Sequence, residues 1–256
     1  MKNSISNKTL DIFGILFWIL VWQILSMAIN EEILLVSPCV VFKTLLEIIS
    51  EKEFWIRIST SFLKITAGFF LGAVCGSVLG ALSEINRLVN AIAKPINQVI
   101  KSTPVASFII LILFWIKSAN ISVVISFLIV FPVFFLNIFQ GMKNLDLKMK
   151  QMADVYHMSF KNRFLYVNMP QIMPYLISAC SMGMGMCWKA GIAAEVIATP
   201  KNSIGDILYR SKINMDSAML FAWTAAVVIL SIVFEKFFLW VLNKISGRFY
   251  QNGEEK

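Results

Sequence analysis

Long apolar stretches recur along this chain, separated by short segments that hold most of its charge. The pattern predicts helices over residues 10–29, 58–82, 102–118, 120–140, 170–198 and 217–242, with Lys64, Lys189, Glu195, Glu235 and Lys236 as charged positions inside them. Such lengths approach or exceed the ~20 residues that carry a helix across a ~30 Å hydrocarbon core. The alternating pattern of a membrane barrel is absent from the sequence, and a helix satisfies its own backbone polar groups in lipid. The expected fold class is all-α: one polytopic membrane domain over residues 1–256 with about six spans. The shortest span is the third, whose strongly apolar part is Pro104 to Ile116. Counting or omitting it reverses the topology.

Charge distribution bears on that choice. With six spans and a cytoplasmic amino terminus, the cytoplasmic segments 1–9, 83–101, 141–169 and 243–256 hold 13 lysines and arginines, against six in the outer segments 30–57 and 199–216. Cytoplasmic loops carry such an excess, so both termini are expected inside. The run from Ile12 to Ile29 is too long for a signal-peptide core and is expected to remain as the first span.

Composition excludes several classes of function. Hydrophobic residues make up 58% of the 256 positions and charged ones 15%, where soluble domains average about 45–50% and about 25%. The net charge of +8 follows from the loop bias, so membrane lipid is an expected partner and nucleic acid is not. Cys39, Cys75, Cys180 and Cys187 contain no C-x-x-C pair, and His157 is the sole histidine, which leaves little for a metal site. Asp11, Asp146, Asp154, Asp206 and Asp216 are scattered, whereas membrane transferases cluster aspartates to hold a divalent ion. No catalytic residue and no metal site is expected. A G-x-x-x-x-G-K-[ST] phosphate loop is also missing from the sequence, so the chain is not expected to bind ATP.

The second span places Gly68, Gly72, Gly76 and Gly80 near one helix face. Small residues at this spacing let helices approach closely in lipid, either as a static seam or as a sliding or rocking contact. In the fifth span, Lys189 and Glu195 are six residues apart and cannot pair within one helix. A charge at mid-helix costs an estimated ~2.5–3.5 kcal/mol on insertion scales. Lys189 is therefore expected to line a pathway or pair spans, and Glu195 to make an interhelical contact near an outer gate.

The segment 141–169 is more than a connector. From Leu147 to Val167 it has no Pro or Gly and its apolar residues recur at helical spacing. Met149, Met152, Val155, Tyr156 and His157 fit one amphipathic helix. Ser159 can cap a second, with Phe160, Phe164, Leu165 and Val167 on its apolar side. Pro170 suits a helix start, where its missing N–H costs nothing. The exposed apolar face needs lipid, the protein's own core or a cytoplasmic partner to cover it.

This segment resembles the signature loop of ABC importer permeases, E-A-A, three residues, G, then about nine residues to I-x-L-P. Aligned on Pro170, Gln151, Met152 and Ala153 fall at E-A-A, His157 at the glycine, and Val167, Met169 and Pro170 at I-x-L-P. The run WKAGIAAE at Trp188–Glu195, the Ser203-Ile204-Gly205 turn with a short helix after it, and Phe234-Glu235-Lys236 resemble the nitrate/sulfonate/taurine-type subfamily. The stretches LLVSPCVVFKTLLEI and STPVASFIILILFWI fit it as well, so the resemblance runs from about residue 33 to 245.

The resemblance implies a type I ABC importer permease (MetI-like) fold in the bacterial cytoplasmic membrane. It implies a second permease subunit, expected as a homodimer, a cytoplasmic ATPase subunit that binds ATP and Mg, and an extracytoplasmic solute-binding protein. Gln151, Met152, Ala153, His157, Ser159, Phe160, Arg163 and Pro170 are the residues expected to couple to the ATPase, with His157 as an ordinary surface histidine or a pH-sensitive contact. An ion-coupled secondary transporter is the rival reading. It would need coupling groups at mid-membrane and often an internal repeat, and the sequence shows few such charges and no repeat between its halves.

Overall fold

The structure is a computed structural model that describes the backbone of residues 2–251 and the side chains of Leu10 and residues 12–244. Lys2 and Lys8, counted above as cytoplasmic charges, lie outside those side chains. The described backbone consists of helices joined by turns and short irregular segments, without strands. The elements are α1 (Lys2–Ile29), α2 (Pro38–Ile49), α3 (Lys52–Ile85), α4 (Arg87–Ser102), α5 (Val105–Ile112), α6 (Ile121–Lys143), α7 (Leu147–Val155), α8 (Phe160–Arg163), α9 (Met169–Ala198), α10 (Ile204–Ile213) and α11 (Ser217–Gln251).

Among the described residues, four helical stretches are long and apolar enough to cross a membrane: Ile12–Ile29, Lys52–Ile85, Ser118–Lys143 and Ser217–Lys244. The expected α9 is present with 30 residues. It is less apolar because its small and polar residues, Gly183, Cys187, Gly191 and Glu195 among them, are buried against other helices rather than facing lipid.

The segment expected as one straight helix over 102–118 is built differently. Its only α-helical part is α5, eight residues long, and α5 meets α4 at a 103° bend. The bend falls at Thr103-Pro104, where the proline ring disfavours helical backbone in the residue before it. The segment counted as a cytoplasmic loop, 83–101, is largely the helix α4. The outer segment 30–57 likewise contains α2, which Ser37 caps through the Val40 amide and which buries Val41, Leu45 and Ile48.

The centre of the bundle is the α3–α6 pair. Gly68, Gly72, Gly76 and Gly80 are buried and lie against the carbonyl oxygens of Val123, Phe127, Phe131 and Phe135 in turn. A Cβ on Gly72 would stand 2.9 Å from the Phe127 oxygen, and one on Gly80 2.6 Å from that of Phe135. Only glycine allows this approach. Both series rise together in sequence, so α3 and α6 run parallel and the chain between them must return along the length of the pair. The bent α4–α5 segment makes that return.

Around the seam, Ile65, Phe69, Val130, Phe134, Met184, Cys187 and Trp188 form the main core with Trp223 and Ala226 of α11. Phe69 meets Phe134 and Phe238 edge to face, at 5.7 and 5.9 Å between centroids. The aromatic quadrupole favours that geometry. α1 stands apart, tied by Trp22 Nε1 donating to Val36 O and Ser26 Oγ to Leu35 O, while most of its side chains are exposed.

Candidate functional site

Three arrangements carry charge or unpartnered surface: a turn between α6 and α9, an anchor at the far end of α3, and a groove beside α4.

The turn is the segment after α6. Asp146 caps α7 through the Lys148 amide, and Ser159 caps α8 through that of Asn162. Between them the chain reverses at His157, whose φ of 48° is left-handed. This region favours glycine, since a Cβ crowds the following carbonyl. The position aligned with the signature glycine thus has a glycine-like backbone without the glycine. The Arg163 guanidinium donates to Asp154 Oδ1 at 2.6 Å and holds α8 against α7.

Ala153 is buried beneath the turn, and Gln151, Met152, His157, Ser159 and Phe160 are exposed. Val155, Tyr156 and Phe160 are 76%, 74% and 87% exposed, so the tip of the turn is an uncovered apolar surface. α8 continues through a wide π-type turn, Phe164–Asn168, into α9, where Pro170 is the second residue. The expected two helices and the Ser159 cap are present. The second helix merges into α9 rather than ending before Pro170.

At the opposite end of α3, Glu195 is wholly buried. Its Oε2 accepts the Ser61 hydroxyl at 2.7 Å and the Gly205 amide at 3.3 Å. Ser61 Oγ in turn accepts the Ile204 amide, and Ser203 Oγ the Asp206 amide. The first three amides of α10, which have no partner within the helix, are thereby satisfied by groups from α3, α9 and the cap. Gly205 is required here, because a Cβ would overlap the backbone and Cβ of Glu195. Arg57, also buried, donates to Ser203 O at 3.2 Å and to Asp206 Oδ2 at 3.0 Å, and Arg210 donates to Asp206 Oδ1 at 2.9 Å.

Lys189 lies elsewhere. It is exposed and lines a hollow with Val105, Ile129, Met186, Ala190 and Ala193. The two charged residues of α9 are therefore on different faces: Glu195 in the anchor, where it makes contacts between helices, and Lys189 on a groove. Farther along the bundle, Ser181 of α9 donates to Glu235 Oε1 of α11 at 3.0 Å.

Residues 68–249 match the family of binding-protein-dependent transport system inner membrane components. The chain belongs to that family. The bicarbonate transport system permease protein CmpB of Synechococcus elongatus is 24% identical over 94% of this chain and 90% of its own length. The taurine transport system permease protein TauC of Escherichia coli is 20% identical over 84% and 80%. The putative aliphatic sulfonates transport permease protein SsuC of Bacillus subtilis is 22% identical over 71% and 66%. As an inner-membrane component of this kind, the chain is the permease subunit of an ABC importer and works with an ATPase and a binding protein.

For this inner-membrane component, Arg57, Ser61 and Asp206 are the anchor residues that sequence reasoning did not single out. Asp206 follows the recognised Ser203-Ile204-Gly205 turn directly. Arg57 was placed in an outer segment and counted only as a loop charge, although its burial gives it a specific pairing role.

Proposed function

We propose that the turn between α6 and α9 is the surface through which a cytoplasmic ATPase drives this permease. The carrying observation is the uncovered apolar tip of Val155, Tyr156 and Phe160, held in shape by the Arg163–Asp154 pair and the two helix caps. In water such a tip is unfavourable, and a groove on a partner removes that cost. Gln151, Met152, His157 and Ser159 border the tip and contact the same partner, while Ala153 and Pro170 support it from behind. ATP and Mg belong to the ATPase, and its closure is transmitted into α6 and α9. Both termini are cytoplasmic, and six crossings follow if the bent α4–α5 segment counts as one.

A second copy of the chain completes the pathway as a homodimer, membrane lipid covers the exposed sides, and an extracytoplasmic binding protein delivers the solute. The relatives named for sulfonate, taurine and bicarbonate transport support a small solute, of the nitrate, sulfonate or taurine kind or a thiamine-precursor pyrimidine. The test is co-purification of the chain with its ATPase. Phe160→Asp is expected to lose the ATPase while keeping the wild-type unfolding temperature; full retention of the ATPase would refute the reading.

A further inference from the structure

Three hollows of about 350, 310 and 320 Å3 lie along one side of the bundle. The first two share Lys101 and Leu136, and the second and third share Val105, Ile129 and Met186. They therefore adjoin one another in a row that forms a groove along the bundle. Lys94 and Lys101 stand in its first part and Lys189 in its last, with Met182, Met186 and Ile129 between them. No carboxylate lines any of the three, and none of these lysines is in a salt bridge among the described residues.

α4 carries two unlike faces. Leu88, Ile92, Ile96 and Val99 form an exposed stripe on one face, and Lys94, Asn97, Gln98 and Lys101 a stripe on the other, which lines the groove. A helix on the rim of a soluble protein turns its polar side out. This one turns its polar side to an open groove against Phe135 and Leu136 of α6, with Lys94, Gln98 and Lys101 exposed and Asn97 buried, the orientation expected of the wall of a water-filled pathway. Asn97 is 3% exposed, and neither atom of its carboxamide has a hydrogen-bond partner among the described residues. A polar group left so in a buried position calls for a role beyond packing.

We propose that Lys101 and Lys189 are specificity-determining residues of the permease: two cationic stations, separated by an apolar throat, that admit small anions and hold back cations. The inference rests on the permease reading above and adds a selection step inside the membrane component, independent of the binding protein. Fixed charges of one sign in a low-dielectric cleft concentrate the field along it and raise the local density of the opposite charge. Met186 belongs to both the middle and the last hollow, so it reports on ions passing between the stations.

The experiment uses the full chain with its ATPase, Cys39 and Cys75 changed to serine and Met186→Cys introduced. The thiol is reacted with two reagents of similar size, anionic sulfonatoethyl and cationic trimethylammonioethyl methanethiosulfonate. The expected result is a preference for the anionic reagent of about tenfold or more. Lys101→Gln and Lys189→Gln should each reduce that ratio, and Lys101→Arg should keep it. The ratio is taken on one protein sample, so a change in folded fraction or in thiol ionisation affects both rates alike. Equal rates for the two reagents would overturn the charge selection while leaving the water-filled pathway in place. No reaction with either, in protein that after denaturation titrates one thiol more than the same protein with Met186 intact, Cys180 and Cys187 being present in both, would overturn the pathway itself.

Discussion

The Ser61 hydroxyl donates to Glu195 Oε2 across 2.7 Å while accepting the Ile204 amide at 3.0 Å, so one side chain joins three helices in a fully buried place. Ser61→Ala leaves the Glu195 carboxyl short of a donor and an α10 amide without an acceptor. Orphaned buried polar groups cost about 1–3 kcal/mol each. The variant should unfold at a lower temperature in detergent, and Glu195→Gln should do the same more mildly because its amide keeps an acceptor oxygen. Unchanged unfolding temperatures in both would remove the anchor from the account of stability.

His157 sits at φ 48° with a full side chain. Relief of left-handed crowding amounts to about 1 kcal/mol. His157→Gly should raise the thermal midpoint or leave it level, and His157→Val should lower it, because branching at Cβ adds to the crowding. A midpoint lowered by glycine would show that the imidazole makes a contact worth more than the strain.

The Arg163–Asp154 pair is partly exposed, and such pairs contribute only ~0–1 kcal/mol to folding. Its role here is to orient α8. Asp154→Asn should leave the unfolding temperature close to wild type yet reduce solute moved per ATP hydrolysed in reconstituted vesicles. Equal losses in stability and transport would point to a purely structural pair.

Gly76 lies against the Phe131 carbonyl and the Phe134 Cβ, whereas nothing stands within 4 Å of a Cβ at Gly185. Gly76→Val should break the α3–α6 seam, with a loss of at least the ~1–3 kcal/mol typical of overpacking, seen as failed extraction of folded protein. Gly185→Ala should be neutral or slightly stabilising, since alanine favours helix by up to ~1 kcal/mol over glycine. A wild-type yield from Gly76→Val would contradict the close approach.

The helices legible in the sequence are those whose environment is uniform over a whole span. α1, α3, α6 and α11 read as continuous apolar runs, and the bounds expected for α9, 170–198, differ from those observed by one residue. α4 was hidden for the opposite reason. Its lysines and Asn97 look like loop chemistry until the helix is seen to turn them into a groove. The anchor was hidden by distance in the chain: Arg57 and Ser61 meet partners more than 130 positions away, and local pattern carries no trace of such a pairing. The division of Lys189 from Glu195 between two faces follows from their 120° offset about α9, but which face met which neighbour needed the packed bundle.

The meshing of four glycines with four successive carbonyls has a mechanical consequence. A shift of α3 along α6 by less than a full helical turn would drive side chains into backbone, so the two helices can tilt only as one beam. One end of that beam leads into α7, and the other carries Arg57 and Ser61, which grip α10. A pull applied at one membrane surface would therefore arrive at the opposite surface as leverage on α10, with almost no travel lost between them.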